Sequence, residues 1–401
     1  MKTYCSKNWT DINIDFENRV LRHCCKAQSH AFPDVLTEEF ISRGPSIQER
    51  RKQSLANIAH NDCSSCWNDY AKGNSAYKDW ANNWDDNFIN QNIRILNDDR
   101  FVYYIEIKTD RTCDLACLYC SPISSSKIAQ EQNTIFEDKT KEEDYVVFKN
   151  WIKKFLRRSD IQHHEIIFMF LGGEPTASER FYELVDFIDQ CSIDSKKKIR
   201  LEICTNANSK KFLMDKIIAK MDTSKLSWGI GVSNESFGYD SELIRHGLSW
   251  DRFQDNFRRY ITHPNTELIV LSPTINIFNL KSFASYVDWV HEQFRQHAPG
   301  KSFTWHGNFI SHPDELDIAN LPKEYVTYVD DVEQSILAVG KSLNYLHATK
   351  EGFLDYLKQM KLRISSNYKS DYKLIAQRFL EQKQRVKKTD VLMKLMDNLD
   401  L

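Results

Sequence analysis

The chain has 401 residues, a net charge of −2, 41% hydrophobic content and 27% charged content. That length accommodates two or three domains with a sizeable core, and the composition is that of a globular protein. The near-neutral charge excludes a global attraction to nucleic acid or an anionic membrane, and no run of 18 apolar residues predicts a membrane span.

The opening segment, MKTYCSKNWTDINIDF, lacks the apolar core of a secretory signal, so a cytoplasmic location is expected. Residues 1–95 are rich in Asn, Asp, Trp and Cys. Alternating Ile12, Ile14 and Phe16, a turn at Glu17-Asn18, and returning Val20 and Leu21 predict a hairpin. IQERRKQSLANIAH (47–60) predicts a helix leading toward Cys63-Ser-Ser-Cys66, and NNWDDNFINQ reads as an irregular linker.

From residue 101 the rhythm changes. FVYYIEIK predicts a strand, and 143–158 has helical periodicity. EIIFMFLGGEP predicts a buried strand breaking at Gly172-Gly173, followed by a helix in ERFYELVDFIDQC. KIRLEICTNA, KLSWGIGVS, TELIVLSPTIN and KSFTWHGNFI predict four further strands. The intervening helices are KKFLMDKIIAKM, 250–261 and KSFASYVDWVHEQF. Six strands alternating with helices argue an α/β chain with a parallel sheet or partial barrel, its chemistry at the C-terminal strand ends. Residues 311–401 read as helical with basic patches, KQMKLR and QKQRVKK, and are expected to be a solvated tail.

Ten cysteines in a chain expected to be cytoplasmic call for an explanation other than disulfides, and eight of them precede residue 121. Cys113, Cys117 and Cys120 follow the first barrel strand with C-x3-C-x2-C spacing. Iron–sulfur cubanes take one thiolate per iron, so three cysteines leave one iron open, and an open position marks a working metal centre.

This loop, with Tyr119 before its last cysteine, resembles the signature of radical S-adenosylmethionine (SAM) enzymes. The resemblance implies a partial (β/α)6 TIM-like barrel over 96–310 and a [4Fe–4S] cluster on the three cysteines. SAM would chelate the open iron and be cleaved to a 5′-deoxyadenosyl radical that abstracts hydrogen from substrate. By position, Gly172, Gly173 and Glu174 match the family's glycine-rich SAM motif, and Thr205 and Asn206 its Thr-Asn pair, with Ala207 in place of the usual glycine. Ser233 and Arg245, the latter expected on the following helix, match residues that contact the ribose and carboxylate of SAM. A surface arginine is the other reading of Arg245. Asn276 would meet the adenine, with Asn279 as its rival. The role of Glu235 stays open, Cys204 reads as core, and His306 faces substrate or sits in the core.

A second group, Cys5, Cys24 or Cys25, and Cys63-x2-Cys66, is similar to a twitch domain, the short form of the SPASM auxiliary-cluster domain, here N-terminal to the barrel. Asn18 stands in for the hairpin glycine. The resemblance implies an auxiliary [4Fe–4S] cluster that carries electrons; four thiolates suit zinc equally. The expected layout is therefore a twitch-like domain at 1–95, the barrel, and a helical region at 311–401. The expected activity is an oxidative modification of a peptide or protein side chain, driven by an external one-electron reductant such as flavodoxin or ferredoxin. The alternatives are a small-molecule or sugar substrate, or a zinc-stabilised binding protein without catalysis.

Overall fold

The computed structural model describes residues 4–71, 99–310, 313–338, 343, 347–364, 366, 371–382 and 399. The strands are β1 (Asp11–Asp15), β2 (Val20–Arg22), β3 (His30–Ala31), β4 (Tyr104–Lys108), β5 (Ala116–Cys117), β6 (Glu165–Leu171), β7 (Lys198–Thr205), β8 (Ser227–Val232), β9 (Arg245–His246), β10 (Thr266–Leu271), β11 (Thr274–Ile275), β12 (Ser302–Trp305) and β13 (Asn308–Phe309). Nine of them form one sheet in the order β12-β10-β8-β7-β6-β4-β1-β2-β3. Pairing is parallel at β1/β4, β4/β6, β8/β10 and β10/β12, and antiparallel at β1/β2 and β2/β3. The order is open, ending at β12 and β3, so the sheet is not a closed barrel. The six expected barrel strands are β4, β6, β7, β8, β10 and β12, with helices interleaved as the periodicity predicts.

The chain divides into two compact units. One comprises Met1–Arg111, Phe136–Glu202 and Ser224–Ser227; the other comprises Thr112–Ile135, Ile203–Thr223 and Trp228–Leu401.

In the first unit the predicted hairpin forms, with Ile14 opposite Leu21 and Asp15 opposite Val20. Its positive-φ position is Arg19, at 51°, and not Asn18. Asn18 instead donates its backbone N–H to Asp15 Oδ1 at 3.0 Å, and its side-chain amide to Oδ2 at 2.8 Å. Arg19 is held there by a 2.7 Å ion pair with Asp144. The alternation extends past the hairpin: Ile12 and Ile14 on β1 and Ile105 and Ile107 on β4 are buried in register, while Asn13 pairs with Glu106. Strand β1 thus joins the edge of β4. The expected boundary near residue 95 and the NNWDDNFINQ segment lie outside the described residues.

In the second unit, Trp228, Ile230, Val232, Ile269, Leu271 and Phe303 are fully buried under the helices Trp250–Thr262 and Leu280–His297. Ser249 caps the former by accepting from Arg252 N–H. The C-terminal helices correct the expectation of a solvated tail: Val329, Val332, Leu357 and Met360 are fully buried. The polar side of KQMKLR pairs internally, Lys361 with Asp330 at 2.6 Å and Arg363 with Asp317. Most of QKQRVKK lies outside the described residues. No described helix is long and apolar enough to cross a membrane.

Candidate metal and SAM site

The cysteine loop is fixed at both ends by residues that the spacing does not reveal. Cys113 donates its backbone N–H to Ser126 Oγ at 3.0 Å, and Ser125 Oγ donates to Leu115 O at 2.7 Å while capping the helix Ser126–Glu131. Strand β5 pairs antiparallel with β9, which sets Cys117 opposite Arg245. Cys120 N–H closes a turn on Cys117 O at 3.1 Å, so the last two thiols share one turn. Burial pushes the Cys117 thiol up to about 12; Arg245 pulls it down and Cys120 adds to the rise. Without a metal this thiol holds its proton.

Arg245 is neither on a helix nor at the surface. It follows the short helix Tyr239–Ile244, begins β9 and is 5% exposed. Its fork meets Glu235 with Nη2–Oε2 at 2.6 Å and Nε–Oε1 at 3.0 Å, and Glu235 is fully buried. Tyr119 donates its hydroxyl to the same Oε1 at 3.0 Å, and its ring centroid is 5.5 Å from the guanidinium carbon. Glu235, whose role the sequence left open, is therefore the hub that joins Tyr119 to Arg245. The remaining nitrogen, Nη1, lies 4.0 Å from Cys117 Sγ. Two of the three fork nitrogens are engaged by Glu235, and the third faces the loop thiol.

A second tie was also missed. Asp114, between Cys113 and Cys117, accepts from Asn206 Nδ2 at 3.0 Å and Asn208 Nδ2 at 3.4 Å. Thr205 Oγ1 accepts from Ala207 N–H, and Ala207 has φ 52°, a conformation that glycine adopts without strain. Ser233 Oγ is 3.4 Å from Cys204 Sγ. Asn276 is buried with its amide engaged by Thr274 O and its carbonyl by Phe278 N–H, and Asn279 also bonds Thr274 O. Both shape their own loop. His306 is exposed and not a core residue.

Gly172, Gly173 and Glu174 belong to the first unit. Gly172 has φ 139°, and a Cβ there would sit 2.4 Å from Asp110 O. Gly173 N–H donates to that same carbonyl at 3.2 Å. Glu174 does not present its carboxylate outward: it is 1% exposed and accepts from Thr176 N and Oγ1 at 3.3 and 2.7 Å. The glycines therefore allow close backbone packing, and the glutamate caps its own turn.

The N-terminal cysteines also lie in the first unit. Cys5 N–H donates to Ser54 Oγ at 3.2 Å, Cys63 ends a 3-10 turn, and Cys66 is buried on the helix Ser64–Ala71. Burial pushes the Cys5 thiol up to about 12, with Cys63 and Cys66 adding to the rise. Cys24 is buried, whereas Cys25 is exposed.

Among the described residues, no three His, Cys, Asp or Glu side chains stand close enough to form a metal-ligand group. The donor chemistry fits one nonetheless. Three thiols lie on one loop beside a buried arginine, and the N-terminal cysteines share the first unit with a second buried arginine, Arg50, whose Nε is 3.9 Å from Asp62 Oδ2.

No family model and no curated protein matches this chain. Among solved structures it is similar to native anSMEcpe with bound AdoMet, at 16% identity and TM-score 0.40, covering 60% of this chain and 63% of that one. It is similar to SuiB of Streptococcus suis bound to S-adenosylmethionine, at 15% identity and TM-score 0.38, covering 84% and 71%. It is also similar to the FeFe-hydrogenase maturase HydG from Carboxydothermus hydrogenoformans, at 11% identity and TM-score 0.32, covering 90% and 91%. The chain thus spans less than two thirds of the first of these, and at such scores no activity is carried over from any of them.

Proposed function

We propose that this chain is a radical SAM enzyme, with Cys113, Cys117 and Cys120 holding a [4Fe–4S] cluster that leaves one iron for SAM. The observation that carries the reading is the second unit's loop: three thiols within eight positions, stapled by Ser125 and Ser126, with the Tyr119–Glu235–Arg245 assembly against Cys117. When bound, such a cluster supplies one-electron cleavage of SAM to a 5′-deoxyadenosyl radical that takes hydrogen from substrate. The chain's own residues do the positioning. Arg245 brings positive charge to a thiol that burial otherwise keeps protonated, which favours the thiolate that iron needs. Glu235 locks that charge in place, and Asp114, Asn206 and Asn208 hold the middle of the loop.

The remaining parts of the proposal are an external one-electron reductant of the flavodoxin or ferredoxin kind, an auxiliary metal centre on the N-terminal cysteines, and a peptide or protein side chain as substrate. The test is anaerobic reconstitution followed by reduction with dithionite in the presence of SAM. The wild type should form 5′-deoxyadenosine and Cys117→Ala none. Product from the variant at the wild-type rate, or zinc as the sole metal of anaerobically purified protein, would sink the proposal. Co-expression with short neighbouring open reading frames, read as a mass change in the encoded peptide, tests the substrate class against a small molecule.

A further inference from the structure

We propose that Asn13, flanked by Arg22 and Glu106, forms a binding subsite for a neutral carboxamide of the kind carried by an asparagine or glutamine side chain. The subsite stands on the first unit alone and does not depend on the cluster reading above.

The argument starts from the two faces of the sheet. Strand β1 lies inside it, between β2 and β4. Successive side chains on a strand point to opposite faces. Ile12 and Ile14 of β1 and Ile105 and Ile107 of β4 take the apolar face and are buried. Asp11, Asn13 and Asp15 take the other. Across that face Asn13 stands in register with Arg22 on β2 and with Glu106 on β4, and Glu106 stands in register with Met169 on β6.

The charges on either side of this row are matched within the chain. Asp11 Oδ1 accepts from Lys7 Nζ at 3.1 Å, and Asp15 pairs with Lys108 at 3.1 Å. The row itself is not matched. Asn13 is 3% exposed, and neither its Oδ1 nor its Nδ2 has a hydrogen-bond partner. Glu106 makes no side-chain hydrogen bond or ion pair among the described residues. Arg22 reaches only a backbone carbonyl, that of Cys25, with Nη1 at 3.4 Å. A buried amide without partners has lost its hydration and gained nothing in return, and native proteins seldom keep one. An asparagine held in this condition on an internal strand points to a partner from outside the chain. Arg22, Glu106 and Met169 are half-buried. No side-chain partner fixes Arg22 or Glu106, so rotation of these two long side chains uncovers the amide between them.

The order of groups along the row identifies the ligand. A carboxamide presents a carbonyl acceptor and N–H donors in one plane, the complement of the end of Asn13 itself. The two ends exchange a pair of hydrogen bonds: Asn13 Nδ2 donates to the ligand carbonyl, and Asn13 Oδ1 accepts a ligand N–H. The flanks give this pair a direction. Arg22 donates to the ligand carbonyl from one side, and a Glu106 oxygen accepts the second N–H from the other. Burial raises the Glu106 carboxyl to about 8, so at neutral pH it brings no charge that would favour a cation. A carboxylate in the ligand's place has no N–H for Asn13 Oδ1 or Glu106. An ammonium has no acceptor for Asn13 Nδ2 and meets Arg22.

The test uses the full chain labelled with [15N]asparagine, and the probe is N-acetylasparagine methylamide. N-acetylaspartate methylamide is the control, since it shares both backbone amides and differs only at the side chain. The readout is the side-chain amide signal of Asn13, identified by its loss in Asn13→Leu. The asparagine probe should give a saturable shift, and the aspartate probe should bind about tenfold more weakly or worse. Glu106→Gln retains an acceptor and should bind as the wild type does, whereas Glu106→Leu should weaken binding about tenfold. Asn13→Leu is close to isosteric and should raise the urea midpoint of the ligand-free protein, because the fold itself does not use the amide. Absence of a saturable shift, equal binding of the aspartate probe, or wild-type binding by Glu106→Leu would each overturn the proposal. So would a lower urea midpoint in Asn13→Leu, which would make the amide a part of the fold.

Discussion

Two regions of this chain place a buried arginine beside thiols, and the two arginines are in opposite condition. Arg245, at the cysteine loop, is clasped by both oxygens of Glu235 and covered by Tyr119. Arg50, among the N-terminal cysteines, has two buried nitrogens without a hydrogen-bond partner, and its nearest carboxylate is 3.9 Å away. In the loop region the protein closes its own charge balance, so the site is organised whether or not a cluster is bound. In the N-terminal region the ionic partner of Arg50 is Asp62, at the longer distance of 3.9 Å. The same residue type thus makes a bidentate clasp in one region and a single, longer contact in the other.

The sharpest way to break this comparison is to disturb both arginines and compare signs. Glu235→Gln leaves Arg245 buried without its carboxylate, and breaking a buried pair in this way costs about 3–5 kcal/mol of unfolding free energy. Arg50→Met removes a buried charge of similar volume whose contact with Asp62 is long, at 3.9 Å, and should raise stability by about 1–3 kcal/mol. Urea unfolding of metal-free wild type and both variants reads the two signs directly. Equal destabilisation by both would show that Arg50 has a partner as good as Glu235, and the contrast would be lost.

A smaller effect sharpens the direction in which Cys25 faces. Burial raises the Glu106 carboxyl from its ordinary 4.5 to about 8, with Cys25 and Asp11 adding and Arg22 opposing. In the unfolded chain the proton leaves near 4.5, whereas in the folded chain it stays until about 8. Between those values the folded state binds more protons, so stability falls as pH rises through the window. Denaturation midpoints at pH 5, 6.5 and 8 should decline in that order. Glu106→Gln should flatten the decline and Cys25→Ser should reduce it only slightly, because burial is the larger cause. A slope unchanged in Glu106→Gln would place the titration elsewhere.

Much of the scaffold was legible because it is written in short-range periodicity. The alternation of Ile12, Ile14 and Phe16 and of the β4 isoleucines marks strands, and the helices between them follow their apolar stripes. What alternation cannot encode is which strand lies beside which. The parallel pairing of β1 with β4, which ties the N-terminal hairpin to the main sheet, depends on packing across a gap of about ninety residues. The site shows the same limit. The three-cysteine spacing and Tyr119 are local and were readable, whereas Glu235 acquires meaning only when β5 meets β9 and brings Arg245 to Cys117. Arg50 had even less signal, being one of several basic residues in IQERRKQSL. The misplaced positive φ at Asn18 follows from propensity losing to a tertiary ion pair, since Arg19 is drawn to Asp144.

The smallest effect concerns the support behind the loop. Ala207 sits at φ 52° between Asn206 and Asn208, whose amides hold Asp114, and its carbonyl accepts from Asn256 Nδ2 at 3.1 Å. An L-residue in the left-handed region costs roughly 1–2 kcal/mol, and glycine gives back roughly 0.5–1 kcal/mol through its larger unfolded-state entropy. Ala207→Gly should therefore stabilise the protein by about 0.5–1 kcal/mol, read as a small rise in the urea midpoint. The methyl is fully buried, which opposes the gain through lost packing. A fall in the midpoint would mean that this packing outweighs the strain, and that the alanine is a fitted part of the support. A rise would mean that the strain is carried by the asparagines on either side, which fix the backbone so that Asp114, between the first two loop cysteines, stays where the loop needs it.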